Sequence, residues 1–470
     1  MNDAPIAVLG SGIAGLTAGL TLVAAGVPCI MFEASQRVGG CCATIKEDGA
    51  VFEPAASVIL GTRMLANVWE ELGVSFHHLL APVQPAVRMM WPDDQFDFFG
   101  PTDALAESIG KQTPEDVPKL FRLVERCSEV AERLYAGLWN FKMGRGLERL
   151  SLCSMSPWAL QSYRTLVRRT FRNPRLRQAF EAFSDFYAGV SAKDAPAVVG
   201  IIPALTLTQG CYRVKGGIQR LPELLASEFQ QRGGEIRCRE PIRKIVIRDG
   251  LVREVETPSR VVPVSGVTAA CDIHSTLACM PGNQLRMARL RIQRLRPSVA
   301  CASIFGLEEG NLKLPTMTWI LPNKGFDKTS ERGWHMKRLA AVSRGPEGVE
   351  PMGVRVGGAL VGKPVDGWDS ATNAITENLL RMLDDVSLPI HIRQRRFWGP
   401  PDYETQLGLP GGAAFGFALS RWQLAPSLYG PTTPISNFTV AGQSCFPGFG
   451  IPMAALSGRL AALALLEARR

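Results

Sequence analysis

Gly10-Ser11-Gly12-Ile13-Ala14-Gly15 constrains this chain more than any other stretch. Ile6-Ala7-Val8-Leu9 before it is a short apolar run with strand character. Leu16 to Ala25 after it is rich in Ala and Leu and predicts a helix. A second apolar run, Val27 to Phe32, ends at Glu33. Strand, tight turn, helix, strand and acid in that order form a unit that cradles a dinucleotide. Gly10 permits the turn, Gly12 lets the backbone approach a pyrophosphate, and Gly15 lets the helix pack on the strand. Ile13 and Ala14 are expected at the dinucleotide with these glycines, and the helix N-terminus presents free N–H groups to the phosphates. Glu33 lies eighteen residues past Gly15, where an acid accepts hydrogen bonds from a ribose hydroxyl.

Ile6 to Phe32 carries no charge over 27 residues, long enough to span a bilayer. The glycine spacing and the central Pro28 favour a buried parallel βαβ unit instead. No basic segment precedes the run, so it does not read as a signal peptide, and no other stretch is long enough to span a bilayer.

The 470 residues predict two or three intertwined domains, and a hydrophobic content of 46% allows a large core. The net charge of +9 suits nucleic acid, an anionic membrane or a scattered solvated surface. No nucleic-acid motif accompanies it. Eleven cysteines without CxxC or regular spacing point to reduced thiols and a cytoplasmic protein. His77, His78, His274, His335 and His391 form no metal-binding spacing, so no metal is expected.

Gln36-Arg37-Val38-Gly39-Gly40 suits a second loop wrapping the dinucleotide, with Arg37 near a phosphate and Gly39 and Gly40 against it. Phe52 to Gly61, with Ala55-Ala56-Ser57 at its centre, is built of small residues and a proline, as backbone pressed against a flat ligand would need. With these segments the chain resembles the flavin-dependent amine oxidase superfamily. Within it, the chain is similar to the phytoene desaturase, carotenoid isomerase and retinol saturase group.

The resemblance covers nearly the whole chain. Tyr212-Arg213-Val214-Lys215-Gly216-Gly217 follows the family's aromatic and basic-Gly-Gly turn, here opening a helix from Ile218 to Arg232. Pro241 and Ile242 fall where the group folds backbone over an adenine. Leu409 to Ala413 and Arg421-Trp422 resemble the approach to the last flavin segment. That segment, Phe438 to Pro452, carries Gly442-Gln443-Ser444 and Phe446-Pro447-Gly448 before a helix from about Met453. The family usually has Asp where Gln443 stands, and amine oxidases often have Arg where Cys41-Cys42 stands.

The resemblance implies non-covalent FAD. Ala56 and Ser57 would lie beside the flavin ring with Gly450, Ile451 and Met453, and Gly442 and Gln443 near the ribityl chain and phosphates. A helix N-terminus at Gly450-Ile451-Pro452 favours the negative charge of a reduced flavin. No Ser-His-Asp set or carboxylate pair is recognisable, so the catalytic residues are left open and hydride leaves the substrate directly. Glu53 reads as a hydrogen-bonded loop acid ahead of a catalytic one. Cys445 does not sit in a tethering pattern, and Cys41-Cys42 reads as two free thiols.

The fold expected is α/β: an FAD-binding Rossmann-like domain (1–85, 205–284 and 426–470), an interleaved mixed-sheet substrate domain (86–113 and 285–425), and a helical lid (114–204). The lid begins with an amphipathic helix through Val117, Leu120, Leu123, Val124, Val130 and Leu134. It then sets Arg164, Arg168, Arg169, Arg172, Arg175 and Arg177 among aromatics. That cluster is either a solvated face or a weak, salt-sensitive contact with anionic membrane. Three functions fit: an FAD enzyme that desaturates, isomerises or saturates an elongated apolar polyene; an oxygen-using amine or natural-product oxidase; and a flavin-binding escort that does no chemistry. Oligomeric state is left open.

Overall fold

The structure, a computed structural model, describes residues 4–47, 49–100, 103–139, 157–282, 284–309, 314–321, 334–346, 353–362, 367–388, 391–424 and 428–469. Residues 140–156 of the expected lid, with Cys153, lie outside the described residues.

The first elements are β1 (Ile6–Leu9), α1 (Ile13–Ala24) and β2 (Cys29–Phe32). All eight strand residues are buried, which is why they read as unbroken apolar runs: a parallel strand is covered on both faces. The helix starts at Ile13, ahead of the expected Leu16, because Gly12 is its extended N-cap. It has 12 residues, roughly 18 Å at 1.5 Å per residue. No helix among the described residues is long and apolar enough to cross a membrane.

In chain order there follow β3 (Val87–Trp91), β4 (Asp94–Phe98), α2 (Val117–Trp139), α3 (Tyr163–Thr170), α4 (Pro174–Phe183), α5 (Ile201–Gln209), α6 (Arg220–Gln231), β5 (Glu235–Arg237), β6 (Gly266–Ala269), α7 (Ile273–Ala278), β7 (Ala300–Glu309), β8 (Met317–Ile320), β9 (Trp334–Arg344), β10 (Gly353–Gly362), α8 (Trp368–Asp385), β11 (His391–Trp398), β12 (Phe438–Val440) and α9 (Ile451–Glu467). One sheet is fully parallel, in the order β12-β6-β1-β2-β5. The second has seven strands in the order β11-β7-β10-β9-β8-β3-β4 and is mixed, since β8 runs parallel to β3 while its other pairs are antiparallel.

Small residues bring α1 and α9 together. A Cβ on Gly458 would stand 2.0 Å from the Ala14 carbonyl oxygen, and one on Gly15 would stand 1.9 Å from that of Gly10. Helix and turn therefore pack backbone to backbone.

The helical region has its own core. Leu120, Leu123 and Val124 of α2 are buried as the sequence predicts, joined by Cys127 and Ala131, while Val117, Val130 and Leu134 are half-buried. Tyr163, Phe171, Phe180 and Phe183 are buried with them, so these rings belong to the core. The arginines are largely engaged. Arg164 and Arg168 flank Glu181 at 3.4 and 3.3 Å, Arg175 meets Asp93 and Asp94, and Arg177 Nε donates to the Phe171 carbonyl.

Candidate functional site

The parallel sheet ends its strands at one edge, where open α/β sheets bind ligands. A cavity of about 1390 Å³ begins there and runs between the mixed sheet and the helices of 117–209. An ordinary small-molecule pocket is about 300–1,000 Å³, so this one has room for more than one ligand.

One arm is polar and backbone-lined. Gly10, Gly12, Ile13 and Ala14 line it with Glu33, Arg37, Gly39, Gly40, Ile242, Gly442 and Gln443. A Cβ on Gly12 would meet nothing within 4 Å, whereas one on Gly40 would meet Gly12 Cα at 3.3 Å. Gly39 donates its N–H to the Ser11 carbonyl at 3.0 Å. The two glycine loops are thus stacked edge to edge, with Gly12 open to the cavity. Gly15, counted with the cofactor-binding glycines for its part in packing the helix, packs against Gly10 and does not itself line the cavity.

Glu33 is fixed by three donors: Ser11 N–H at 2.9 Å, Ser11 Oγ at 2.5 Å and Ser35 N–H at 2.8 Å. An ionised carboxylate has about four acceptor positions, so one stays available for a ribose hydroxyl. Arg37 curls back, and its Nη2 donates to the Thr44 carbonyl in its own loop.

At the centre of the cavity Ala56 and Ser57 lie with Gly450, Ile451 and Met453. Gly450 has φ +95°, a turn only glycine makes without strain, and α9 starts directly after it. Arg355 holds the small-residue loop from behind: its Nη1 donates to the Ala55 carbonyl at 3.2 Å and its Nε to Ser303 Oγ at 2.9 Å. Tyr403 OH donates to the Pro54 carbonyl at 3.1 Å. Arg355 and Asp272 line the cavity and were not singled out from the sequence. The signals were an Arg between Val354 and Val356 in an apolar strand, and an acid at the end of Val267 to Asp272.

The other arm is apolar. Leu134, Leu138, Phe186, Val199, Ile202 and Leu205 supply its helical wall, and Met317, Leu339 and Ala341 its sheet wall. The carboxylates that line the cavity among the described residues, Glu33 and Asp272, belong to the polar arm.

Glu53 is buried outside the cavity, paired with Arg213. Cys445 is fully buried and also outside it. Burial pushes the Cys41 thiol up to about 12, so it stays protonated, and its Sγ lies 3.9 Å from Gln443 Oε1. Cys41 and Cys42 are both free thiols. No group of three or more His, Cys, Asp or Glu among the described residues could hold a metal ion.

The profile of the family described as flavin containing amine oxidoreductase matches residues 13–274. Hydroxyneurosporene desaturase of Rubrivivax gelatinosus is 25% identical, over 98% of this chain and 93% of its own length. The lycopene-forming phytoene desaturase of a Paracoccus species is 23% identical, over 98% and 97%. Among solved structures, an oxidoreductase from Methanosarcina mazei superposes with a TM-score of 0.66 at 15% identity, covering 98% of this chain and 100% of its own. Cyclohexylamine oxidase from Brevibacterium oxydans gives 0.63 at 14% identity, covering 99% of both chains.

Proposed function

Because this chain belongs to the flavin-containing amine oxidoreductase family, we propose that it desaturates an elongated polyene of the isoprenoid class, with non-covalent FAD in the polar arm of its cavity. The single observation that carries this reading is the cavity itself. A glycine-lined polar arm opens into a long apolar one that offers no carboxylate among the described residues. A protonated amine would bring a charge that such an arm does not match, so the amine-oxidase alternative has no support there. The two desaturase relatives, similar over nearly their full length, point the same way.

The residues fit the cofactor. Gly12 faces open cavity, where a pyrophosphate would approach its backbone and a side chain would intrude. Glu33 keeps an acceptor position for a ribose hydroxyl. Ala56 and Ser57 present a flat, small-residue face. The first turn of α9, with Pro452 where a missing N–H costs nothing, turns its free N–H groups to negative charge. When bound, the flavin supplies the two-electron acceptor. The protein's part is to hold the polyene carbon against the ring in a dry, close-fitting channel. Cys445 is buried outside the cavity, which supports a non-covalent flavin. A water-insoluble substrate calls for contact with a membrane, and we assign that contact to the helix Arg286–Gln293, where Met287 is 76% and Leu290 41% exposed beside Arg286.

Two measurements test the reading. Acid precipitation should leave yellow FAD in the supernatant; colour retained in the pellet would mean a covalent flavin. Anaerobic incubation with a polyene should bleach the flavin band. Bleaching by amines and not by polyenes would favour the oxidase.

A further inference from the structure

We propose that Asp272 is a cofactor-binding carboxylate that accepts a hydrogen bond from a hydroxyl on the sugar chain of bound FAD. The proposal rests on FAD occupying the polar arm.

Asp272 follows the end of β6, the strand between β1 and β12 in the parallel sheet. Its neighbours there are the two ends that form the polar arm. A Cβ on Gly10 would stand 3.2 Å from Cys271 N, and one on Gly442 would stand 3.5 Å from the Ala270 carbonyl. The Asp272 segment is therefore wedged between the first glycine loop and the last flavin segment. Its side chain is only 7% exposed and lines the cavity.

The two carboxylate oxygens differ. Oδ1 caps α7, accepting from His274 N–H at 2.8 Å, and lies 3.0 Å from His274 Nδ1. Oδ2 receives no hydrogen bond from any described residue. Asp272 lines the cavity with that oxygen free of protein donors, so it is open to a hydroxyl donated by a ligand. The other acid of the arm, Glu33, already takes three protein donors. Gln443, on the neighbouring strand end, brings no charge. FAD carries hydroxyl donors along both its ribose and its ribityl chain. Glu33 stands at one side of the glycine loop and Asp272 at the other, so the two acids would grip the cofactor at separate hydroxyls.

Asp272→Asn separates binding from capping. Asn caps a helix as well as Asp, so Oδ1 keeps its work and only the free acceptor and the charge are lost. Apoprotein of the wild type and of the variant would be titrated with FAD, followed by flavin fluorescence, and melted without FAD. The expected result is an unchanged apoprotein Tm and an affinity weakened by about tenfold or more, the weight of one hydrogen bond to a charged group. Adding Gln443→Asp to the variant should recover part of the loss, because it returns an acid to the same arm. If the Asn variant does not fold, Asp272→Ser, which also caps, takes its place. A variant that melts as the wild type and binds FAD equally well would reduce Asp272 to a helix cap and overturn the assignment while leaving the cofactor reading intact. Wild-type apoprotein that does not bind FAD would overturn both.

Discussion

Arg213 Nη2 donates to Glu53 Oε2 at 2.5 Å, with the two side chains only 6% and 3% exposed. Glu53 Oε1 accepts the Ile218 N–H at 2.7 Å, and Arg213 Nη1 donates to the carbonyls of Arg344 and Gly345. One buried pair thus fastens the Pro54 to Ser57 loop both to the start of α6 and to the end of β9. Burial pushes the Glu53 carboxyl up and Arg213 opposes it. Removing one member of a buried pair leaves the other charge without a partner. Arg213→Ala should therefore cost about 3–5 kcal/mol of stability, read by urea unfolding, and Glu53→Gln clearly less. A Glu53→Gln protein with full stability and FAD but no turnover would instead make Glu53 a catalytic acid.

The two glycines of the first turn should fail differently. Gly12 faces open cavity, so Gly12→Val should fold and lose FAD. Gly15 is packed on Gly10, where an added Cβ would stand 1.9 Å from an oxygen, so Gly15→Ala should fail to accumulate as folded protein. Glu33→Ala should weaken FAD binding by about 1.5–3 kcal/mol. A Gly12→Val protein that copurifies with stoichiometric FAD would show that the pyrophosphate lies elsewhere.

Asp116 gives the helical region an acid-sensitive latch. Burial alone would raise its carboxyl. The Asn173 N–H, the Lys119 ammonium and the Arg172 N–H outweigh that and hold it below the usual carboxylate range. A folded pKa below the unfolded one contributes stability that is present above the unfolded value, about 3.9, and lost as pH falls through the folded value. Asp116→Asn should therefore be less stable than wild type at pH 7, with the gap closing on acidification below about pH 4. A gap that stays constant from pH 7 to pH 3 would mean the Asp116 charge carries no weight.

Where one segment carries its own geometry, the sequence suffices. The Gly10 to Gly15 turn, the alternation of charge-free strand and helix around it, and the Asp249-Gly250 hairpin turn between Lys244–Arg248 and Leu251–Glu256 all form as their residues dictate. Relations between distant segments were not legible. Glu53 and Arg213 are separated by 160 positions, and nothing local in either says that they meet. Arg355 looks like a misplaced charge in a strand until the Ala55 carbonyl is brought to it. The Arg-rich segment stayed ambiguous for a related reason: aromatic residues at helical spacing serve a core as well as an interface, and only the fold shows that Phe171, Phe180 and Phe183 pack in a core.

The membrane contact proposed for the helix Arg286–Gln293 can be tested directly. Met287 and Leu290 are exposed on it, with Arg286 and Arg294 exposed nearby. An arginine near an anionic leaflet contributes about 1 kcal/mol. Flotation with anionic vesicles at low salt should carry the wild type upward, and a Met287→Glu, Leu290→Glu double variant should stay down. Equal flotation of both proteins, or of the wild type with neutral and anionic vesicles alike, would remove this helix from the membrane contact.

The proposed place of reaction lies beside Ala56, Ser57 and Phe449. Ala56 and Ser57 are held there by Arg355 and Tyr403 through the Ala55 and Pro54 carbonyls. Phe449 packs on Phe415 with ring centroids 4.9 Å apart, at the start of the α9 turn. Both sets line the cavity. Phe186, Ile202 and Leu339 line the apolar arm, which would hold the polyene if the flavin ring lies beside Ala56 and Ser57. A bulky side chain at Ala56 would then fill space the substrate needs without touching Gly12 or Glu33. Ala56→Phe and Phe449→Ala should each lower turnover by at least tenfold while FAD content per chain stays constant, read from the 450 nm band against protein. Loss of FAD in step with turnover would place the ring closer to these residues than to the polar arm. Unchanged turnover in both, together with an essential acid or histidine elsewhere, would replace direct hydride transfer with acid–base oxidation.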